Sequence, residues 1–307
     1  MFYDSRVVEG VDPYNVSNKF CTNIPTNYNL LNLVFCYIIY KNKYTKGEII
    51  LNILLIGDIV GTSSVERVKN ILPNIIKEKN IDFVIANGEN SADGMGITSK
   101  IFNNLISAGV NVITMGNHTW GKKDIFNIID NKQLIRPANY SKDVPGNGYG
   151  IFECKGKKIA VMNLIGRASM NVLSDNPFAK ADEILEKIKN EVDAIILDFH
   201  AEATAEKIAM GRYLDGRVAC VFGTHTHVAT ADEQILENGT AYITDIGMTG
   251  PKKSIIGMEI NASIKRFVTT LPEKYKVSDD KEIICDGCVL VLNDENCRAE
   301  KIYRIKL

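Results

Sequence analysis

The run at residues 53–60, ILLIGDIV, shows no alternation of apolar and polar positions. A strand of that composition has to be buried on both faces, as in a parallel sheet covered by helices. The residues after it obey the same constraint. A helical pattern from Ser63 or Ser64 to about Lys79 leads to a second apolar run at 81–87 (IDFVIAN). A helix at 98–108 leads to a third run at 110–115. This β-α-β-α-β series predicts parallel strands joined by right-handed crossovers. Further along, a hairpin is predicted at 151–165 around Gly156, with helices at 179–190 and 202–214. Strands are predicted at 193–199, 217–222 and 240–244, and an antiparallel hairpin from Ile283. No repeat or linker interrupts residues 51–307, so they read as one α/β domain with a mixed sheet or two packed sheets.

The first fifty residues differ. They are rich in Asn and Tyr and show no helical period. The apolar stretch at 30–40, LLNLVFCYIIY, is too short to span a bilayer. It also lacks the basic flank and small-residue cleavage site of a signal peptide. Lys46-Gly47-Glu48 can be encoded with a GGAG run, and Leu51 follows at a start-codon distance. Residues 1–50 are therefore expected to be a translated upstream region, with a loosely ordered N-terminal extension as the alternative. The gene sequence decides this: no GGAG run there, and a codon other than TTG at Leu51, would remove the expectation.

A net charge of −1 gives no basic excess, so no stable nucleic-acid complex is expected, and no membrane partner either. Seven scattered cysteines, an odd number, read as reduced thiols in a cytoplasmic protein. Cys285-Asp-Gly-Cys288 has a CxxC spacing with Cys297 nearby. A zinc site there needs a fourth ligand, and the stretch reads more simply as a turn between C-terminal strands.

The histidines carry the functional information. There are four, and each follows an apolar run at its C-terminal end. The predicted strand ends are Gly57-Asp58, Asn87-Gly88-Glu89-Asn90, Gly116-Asn117-His118, His200 and Gly223-Thr224-His225-Thr226-His227. In open α/β sheets, ligands bind beyond those ends. The topology can thus bring Asp58, Glu89, Asn90, Asn117, His118, His200, His225 and His227 to one place. Any one of them alone has an ordinary structural use, such as a helix cap for Asp58 or a turn for Glu89. Together they form a metal-ligand set. Imidazoles with carboxylate and amide oxygens, and no thiolate, suit Fe, Mn, Zn, Co or Ni. The set is too large for one ion, and a carboxylate such as Glu89 can bridge two ions about 3.5–4 Å apart, as in two-metal hydrolytic sites.

The stretches GD (57–58), GEN (88–90), GNH (116–118), H (200) and GTHTH (223–227) resemble those of the calcineurin-like metallophosphoesterases. Within them the chain is similar to the bacterial YmdB-type subgroup of 2′,3′-cyclic-nucleotide phosphodiesterases. The longer stretches GNHTW (116–120), RPANY (136–140), HAEAT (200–204) and TAYITDIGMTGP (240–251) extend the likeness from about residue 52 to the C-terminus. The first motif has Asp58-Ile59-Val60 where the wider superfamily usually has Asp-x-His, and the second has Glu89 where that superfamily usually has Asp. Both departures agree with the subgroup.

The resemblance implies a metallophosphoesterase-type α/β sandwich of mixed β-sheets flanked by helices. It implies two divalent metal ions, iron first, with manganese or zinc as alternatives. Asp58, Glu89, Asn90 and His227 would hold one, and Glu89, Asn117, His200 and His225 the other. A bridging hydroxide would attack phosphorus, and His118 would protonate the departing ribose oxygen, opening a small-molecule 2′,3′-cyclic nucleotide to a nucleoside monophosphate. Thr119, Arg136 and Asn139 are candidates for the substrate pocket, Arg136 through its fork of donors or, equally, as a loop-ordering residue. Trp120 reads as core packing. The resemblance also points toward a homo-oligomer. A phosphomonoesterase or RNase on the same site, and a regulatory scaffold built on the metal fold, are the alternative functions.

Overall fold

The structure, a computed structural model, describes residues 50–274 and 276–307. The expectation that residues 1–50 form a separate extension lies outside the described residues, apart from Ile50. The strands are β1 (Ile50–Ile56), β2 (Asp58–Ile59), β3 (Phe83–Asn87), β4 (Val112–Thr114), β5 (Leu134–Ile135), β6 (Tyr149–Cys154) and β7 (Lys157–Ile165). They continue with β8 (Ala194–His200), β9 (Cys220–Thr224), β10 (Gln234–Ile235), β11 (Ala241–Ile243), β12 (Met248–Pro251), β13 (Ile283–Asn293) and β14 (Ala299–Lys306). The α-helices are α1 (Thr62–Glu78), α2 (Ser99–Ala108), α3 (Pro177–Ile188), α4 (Thr204–Tyr213) and α5 (Ile260–Thr269).

Two sheets result, not one. The first runs β2-β12-β13-β1-β3-β4-β5, with β14 beside β13, and the second runs β10-β11-β9-β8-β7-β6. Both are mixed. β1 is parallel to β3 and antiparallel to β13, and β7, β8 and β9 are parallel neighbours with β6 antiparallel at the edge. The unbroken apolar run in β1 explains the layering. Leu51, Ile53 and Leu55 point between the sheets, where they meet Val161, Ile196 and Phe222. Leu54 and Ile56 point the other way, onto Val65, Val68 and Leu72 of α1 and Leu105 of α2. The outer face of the second sheet buries Ala160, Met162 and Leu164 against α3 and α4. Each such aliphatic side chain contributes roughly 1.5–3 kcal/mol by leaving water. The expected α/β sandwich of mixed sheets between helices is the fold observed.

Several boundaries depart from the sequence reading. β1 stops at Ile56, and a new strand begins at Asp58 beside β12. Gly57 marks the break, since a Cβ there would lie 2.1 Å from the Gly247 carbonyl oxygen. The N-cap of α1 is Gly61, without a side-chain cap, so neither Ser63 nor Ser64 fills that role and nor does Asp58. Ser64 instead donates to the Val60 carbonyl at 2.7 Å. The strand expected at 217–222 lies at Cys220–Thr224. α5 is absent from the sequence reading although Ile260, Ile264, Phe267 and Val268 recur at helical spacing; that apolar face is exposed, and of the helix only Ser263 is buried. Cys285 and Cys288 sit within β13, not in a turn. Cys285 belongs to the helix-covered face and Cys288 to the layer between the sheets. Cys154, Cys220, Cys285, Cys288 and Cys297 are buried free thiols. Among the described residues, no helix is long and apolar enough to cross a membrane.

Candidate metal centre

The eight polar residues expected to converge form one connected network at the C-terminal ends of β1, β3, β4, β8 and β9. Glu89 lies at its middle and is buried. Its Oε2 accepts the His118 backbone N–H at 2.8 Å. Its Oε1 lies 3.2 Å from His200 Nε2 and 3.3 Å from both His118 Nδ1 and Asn90 Nδ2. Room for this carboxylate depends on Gly116, where a Cβ would fall 2.4 Å from Glu89 Oε2 and from His200 Nε2. Asp58 is fully buried and accepts the His225 backbone N–H at 3.1 Å and Asn90 Nδ2 at 3.4 Å. His227 Nε2 lies 3.7 Å from Asp58 Oδ1 and 3.1 Å from Asn90 Nδ2. Asn117 Oδ1 approaches His200 Nε2 at 2.9 Å.

β9 ends at Thr224, and the backbone then leaves extended geometry. His225 has φ 102° and His227 has φ 64°, both in the left-handed region that costs a non-glycine residue about 1–3 kcal/mol. The turn aims the two rings differently: His225 Nδ1 lies 3.1 Å from His200 Nε2, while His227 Nε2 faces Asp58. Asp245 holds this turn. Its buried carboxylate accepts the Thr226 N–H at 3.1 Å, the Thr226 hydroxyl at 2.8 Å, the Gly247 N–H at 2.9 Å and the Lys207 ammonium at 2.7 Å. Gly247 in turn accepts the Asp58 backbone N–H at 3.1 Å, so Asp245 ties together the two loops that flank Asp58.

Two of the imidazoles are oriented by what lies behind them. The Thr224 hydroxyl donates to Asp198 Oδ1 at 2.7 Å and therefore accepts from His200 Nδ1–H at 2.9 Å. In the neutral, ligating form of His200 the lone pair is then on Nε2, facing Glu89; without an ion, an Nε2 proton there points to Glu89 and to His225 Nδ1. His227 Nδ1 donates to the Ile256 carbonyl at 2.8 Å, which leaves its Nε2 lone pair facing Asp58 and Asn90. Hydrogen-bonded acceptors behind ligating histidines are the usual outer shell of a metal site. Glu89, His200 and His225 present ligand atoms within 4.8 Å of one another.

The electrostatics agree with a site built for cations. Burial pushes Asp58 above the ordinary carboxyl range, against the pull of His227 and His200. Burial acts on Glu89 as well, but His200 and His118 outweigh it and hold its carboxyl well below that range. For His200, burial opposes the charged form, yet Glu89, Asp58 and Asp198 raise it to about 9. The field that draws a proton to His200 draws any cation placed there. His225 goes the other way: burial and its neighbour His200 push it down to about 3, leaving it neutral, the form that ligates. Burial also disfavours charge on His118, but the hydrogen bond and charge of Glu89 prevail and its pKa is raised. The donor set fits hard or borderline divalent ions. One detail departs from the expected set: Asn90 presents its amide nitrogen to Asp58 and His227 and its oxygen to His118 Nδ1 at 2.7 Å.

The residues expected to line a substrate pocket hydrogen-bond to the backbone. Arg136 is buried and donates to the carbonyls of Pro145, Pro137 and Val144. Of its two expected roles, loop ordering is the one seen, through carbonyls and not a salt bridge. Asn139 donates to the Ile165 and Asp175 carbonyls and accepts the Ile165 N–H. The Thr119 hydroxyl donates to the Gly116 carbonyl at 2.6 Å. Trp120 stacks on Phe126 with ring centroids 5.7 Å apart and packs near Tyr140, in keeping with a packing role. Sequence reasoning missed Asp198, Lys207 and Asp245. A carboxylate inside the doubly buried run DAIILDF was a signal for Asp198, because such a group needs partners.

The family model described as "YmdB-like protein" matches residues 54–305, which include every residue of the network. A Bacillus subtilis (strain 168) protein named 2′,3′-cyclic-nucleotide 2′-phosphodiesterase is 48% identical over 256 residues, 83% of this chain and 96% of that protein. The crystal structure of a hypothetical protein from Thermus thermophilus is similar with a TM-score of 0.79 and 36% identity, over 84% of this chain and 99% of the other. A structure described as a novel phosphatase of Mycoplasma pneumoniae is similar with a TM-score of 0.79 and 36% identity, over 84% of this chain and 93% of the other.

Proposed function

The chain belongs to the YmdB-like protein family, and from that premise we propose that it is a phosphodiesterase that hydrolyses 2′,3′-cyclic nucleotides to nucleoside monophosphates. It is a hydrolase of phosphoric esters. The observation that carries the reading is the convergence of Glu89, His200 and His225 on one point, in a chain 48% identical to a phosphodiesterase of that name. Asp58, Glu89, Asn90 and His227 would hold one divalent ion and Glu89, Asn117, His200 and His225 a second, iron first, with manganese or zinc as alternatives. An oxygen ligand from Asn90 requires its amide to turn over from the orientation described above. Bound ions of this kind neutralise phosphoryl oxygens and lower the pKa of a water.

The chain's own residues do the rest. His118 Nδ1 lies 3.3 Å from Glu89 Oε1. Its side chain is 32% exposed, whereas that of Glu89 is 1% exposed, so its ring reaches the open side of the network. Against the effect of burial, the hydrogen bond and charge of Glu89 raise the His118 pKa, which favours the protonated form that would donate to the departing ribose oxygen. The hydrogen bonds of Arg136, Asn139 and Thr119 order the loops beside His118. A cytoplasmic setting is in keeping with the buried free thiols.

The test is hydrolysis of 2′,3′-cAMP and 2′,3′-cGMP beside 3′,5′-cAMP and p-nitrophenyl phosphate, with Glu89→Gln and His118→Ala variants. Turnover of the 2′,3′-cyclic substrates alone, lost in both variants, is the expected result. Cleavage of the monoester alone would make the protein a phosphomonoesterase. Binding of metal without any cleavage would favour a regulatory scaffold.

A further inference from the structure

Glu202 belongs to the stretch HAEAT at 200–204 and has no role in the site as described so far. It lies two residues beyond the end of β8, on the short connection that follows His200 and leads into α4. Its Oε2 is 3.0 Å from His225 Nε2. The opposite ring nitrogen, Nδ1, is 3.1 Å from His200 Nε2 and faces the cluster. The ring of His225 is therefore held between an acceptor outside the site and the ligand atoms inside it. We propose that Glu202 is a positioning residue that fixes the His225 ring so that Nδ1 is the metal-ligating atom.

A neutral imidazole has one N–H, and an ionised carboxylate can only accept. The proton consequently lies on Nε2, toward Glu202, and the lone pair on Nδ1. His225 needs such a support more than His200 or His227 does. His200 is enclosed in the sheet and backed by Thr224. His227 is backed by the fixed Ile256 carbonyl. The His225 side chain is 22% exposed, on a left-handed backbone at φ 102°, and could swing toward solvent without a partner behind it. Glu202 is 50% exposed, so it contributes little to packing, and its removal should leave the fold intact. The proposal shares with the functional reading only the premise of a cation at the cluster.

The experiment is titration of the purified, metal-stripped full chain with Mn(II), following free Mn(II) by electron paramagnetic resonance, for wild type and for Glu202→Ala, Glu202→Gln and Glu202→Asp. Loss of an outer-shell partner typically weakens metal binding about 10–100-fold, and that is the expectation for Glu202→Ala. Glu202→Asp, which no longer reaches the ring, should match it. Glu202→Gln retains an acceptor oxygen at the same reach and should stay within about threefold of wild type. An alanine variant within twofold of wild type overturns the proposal, as does a glutamine variant as weak as alanine. A thermal midpoint of the metal-free alanine variant more than about 4 °C below wild type also overturns it, because a loss of that size marks a structural role in a surface residue. Binding is read without turnover. Wild-type protein that takes up Mn(II) but cleaves no cyclic nucleotide therefore refutes the functional reading and leaves this one standing.

Discussion

Replacing Asp245 with alanine should unfold the protein more easily than any other single change beside the metal centre. Asp245 is fully buried, and Lys207 is 1% exposed with its ammonium 2.7 Å away. Removing one partner of a buried pair costs about 3–5 kcal/mol, chiefly because the other charge stays behind in the interior. The upper end of that range applies here. Asp245 also takes up the Thr226 N–H and hydroxyl and the Gly247 N–H, each worth about 1 kcal/mol net. Lys207→Met is milder, about 3 kcal/mol, since the stranded carboxylate retains those three donors. The double variant Lys207→Met/Asp245→Ala should recover about 1–3 kcal/mol relative to Asp245→Ala, because no ammonium is left in the core. Urea denaturation followed by circular dichroism measures all three. With a slope of a few kcal/mol per molar, Asp245→Ala should lower the midpoint by about 1–2 M. A shift under about 0.3 M, or a double variant as unstable as the sum of the single ones, would refute the picture of a buried clamp. The same variant also relaxes the turn that holds His225 and His227 at positive φ, so metal affinity should fall with stability.

His118→Ala should slow cleavage of a 2′,3′-cyclic nucleotide about 10²–10⁴-fold. It should slow bis-p-nitrophenyl phosphate much less, since that leaving group departs without a proton; equal losses on both would remove His118 from the role of acid. Gly116→Ala places a Cβ 2.4 Å from Glu89 Oε2 and His200 Nε2. A displacement of about 1 Å in such a site costs on the order of 100-fold in rate, so turnover should fall by at least that while circular dichroism stays unchanged. Chelation should lower the thermal midpoint of the holoprotein, since an ion at a hundred times its dissociation constant stabilises by about 2.7 kcal/mol; scanning calorimetry with and without chelator reads the shift, and identical midpoints would argue against a resident ion.

Much of the site was legible because strand ends are legible. The unbroken run of β1 dictated burial on both faces, and a doubly buried parallel strand delivers whatever follows it to one edge of the sheet. That placed Asp58, Glu89, Asn117 and His200 without any structure. The orientation of side chains past those ends was not accessible in the same way. His225 and His227, at i and i+2, would share a face in an extended strand. They serve different neighbours only because the backbone turns through positive φ, and that turn is held by Asp245, nineteen residues beyond Thr226. The backbone contacts of Arg136 and Asn139 were hidden for a related reason. Their sequence neighbourhood looked functional, but the carbonyls of Pro145, Val144 and Ile165 needed donors, and only the folded loop shows which side chain supplies them. The CxxC spacing misled through its assumed secondary structure. Three residues apart in a turn can share one ligand; three apart in a strand point to opposite faces, and β13 sends Cys285 and Cys288 into separate cores.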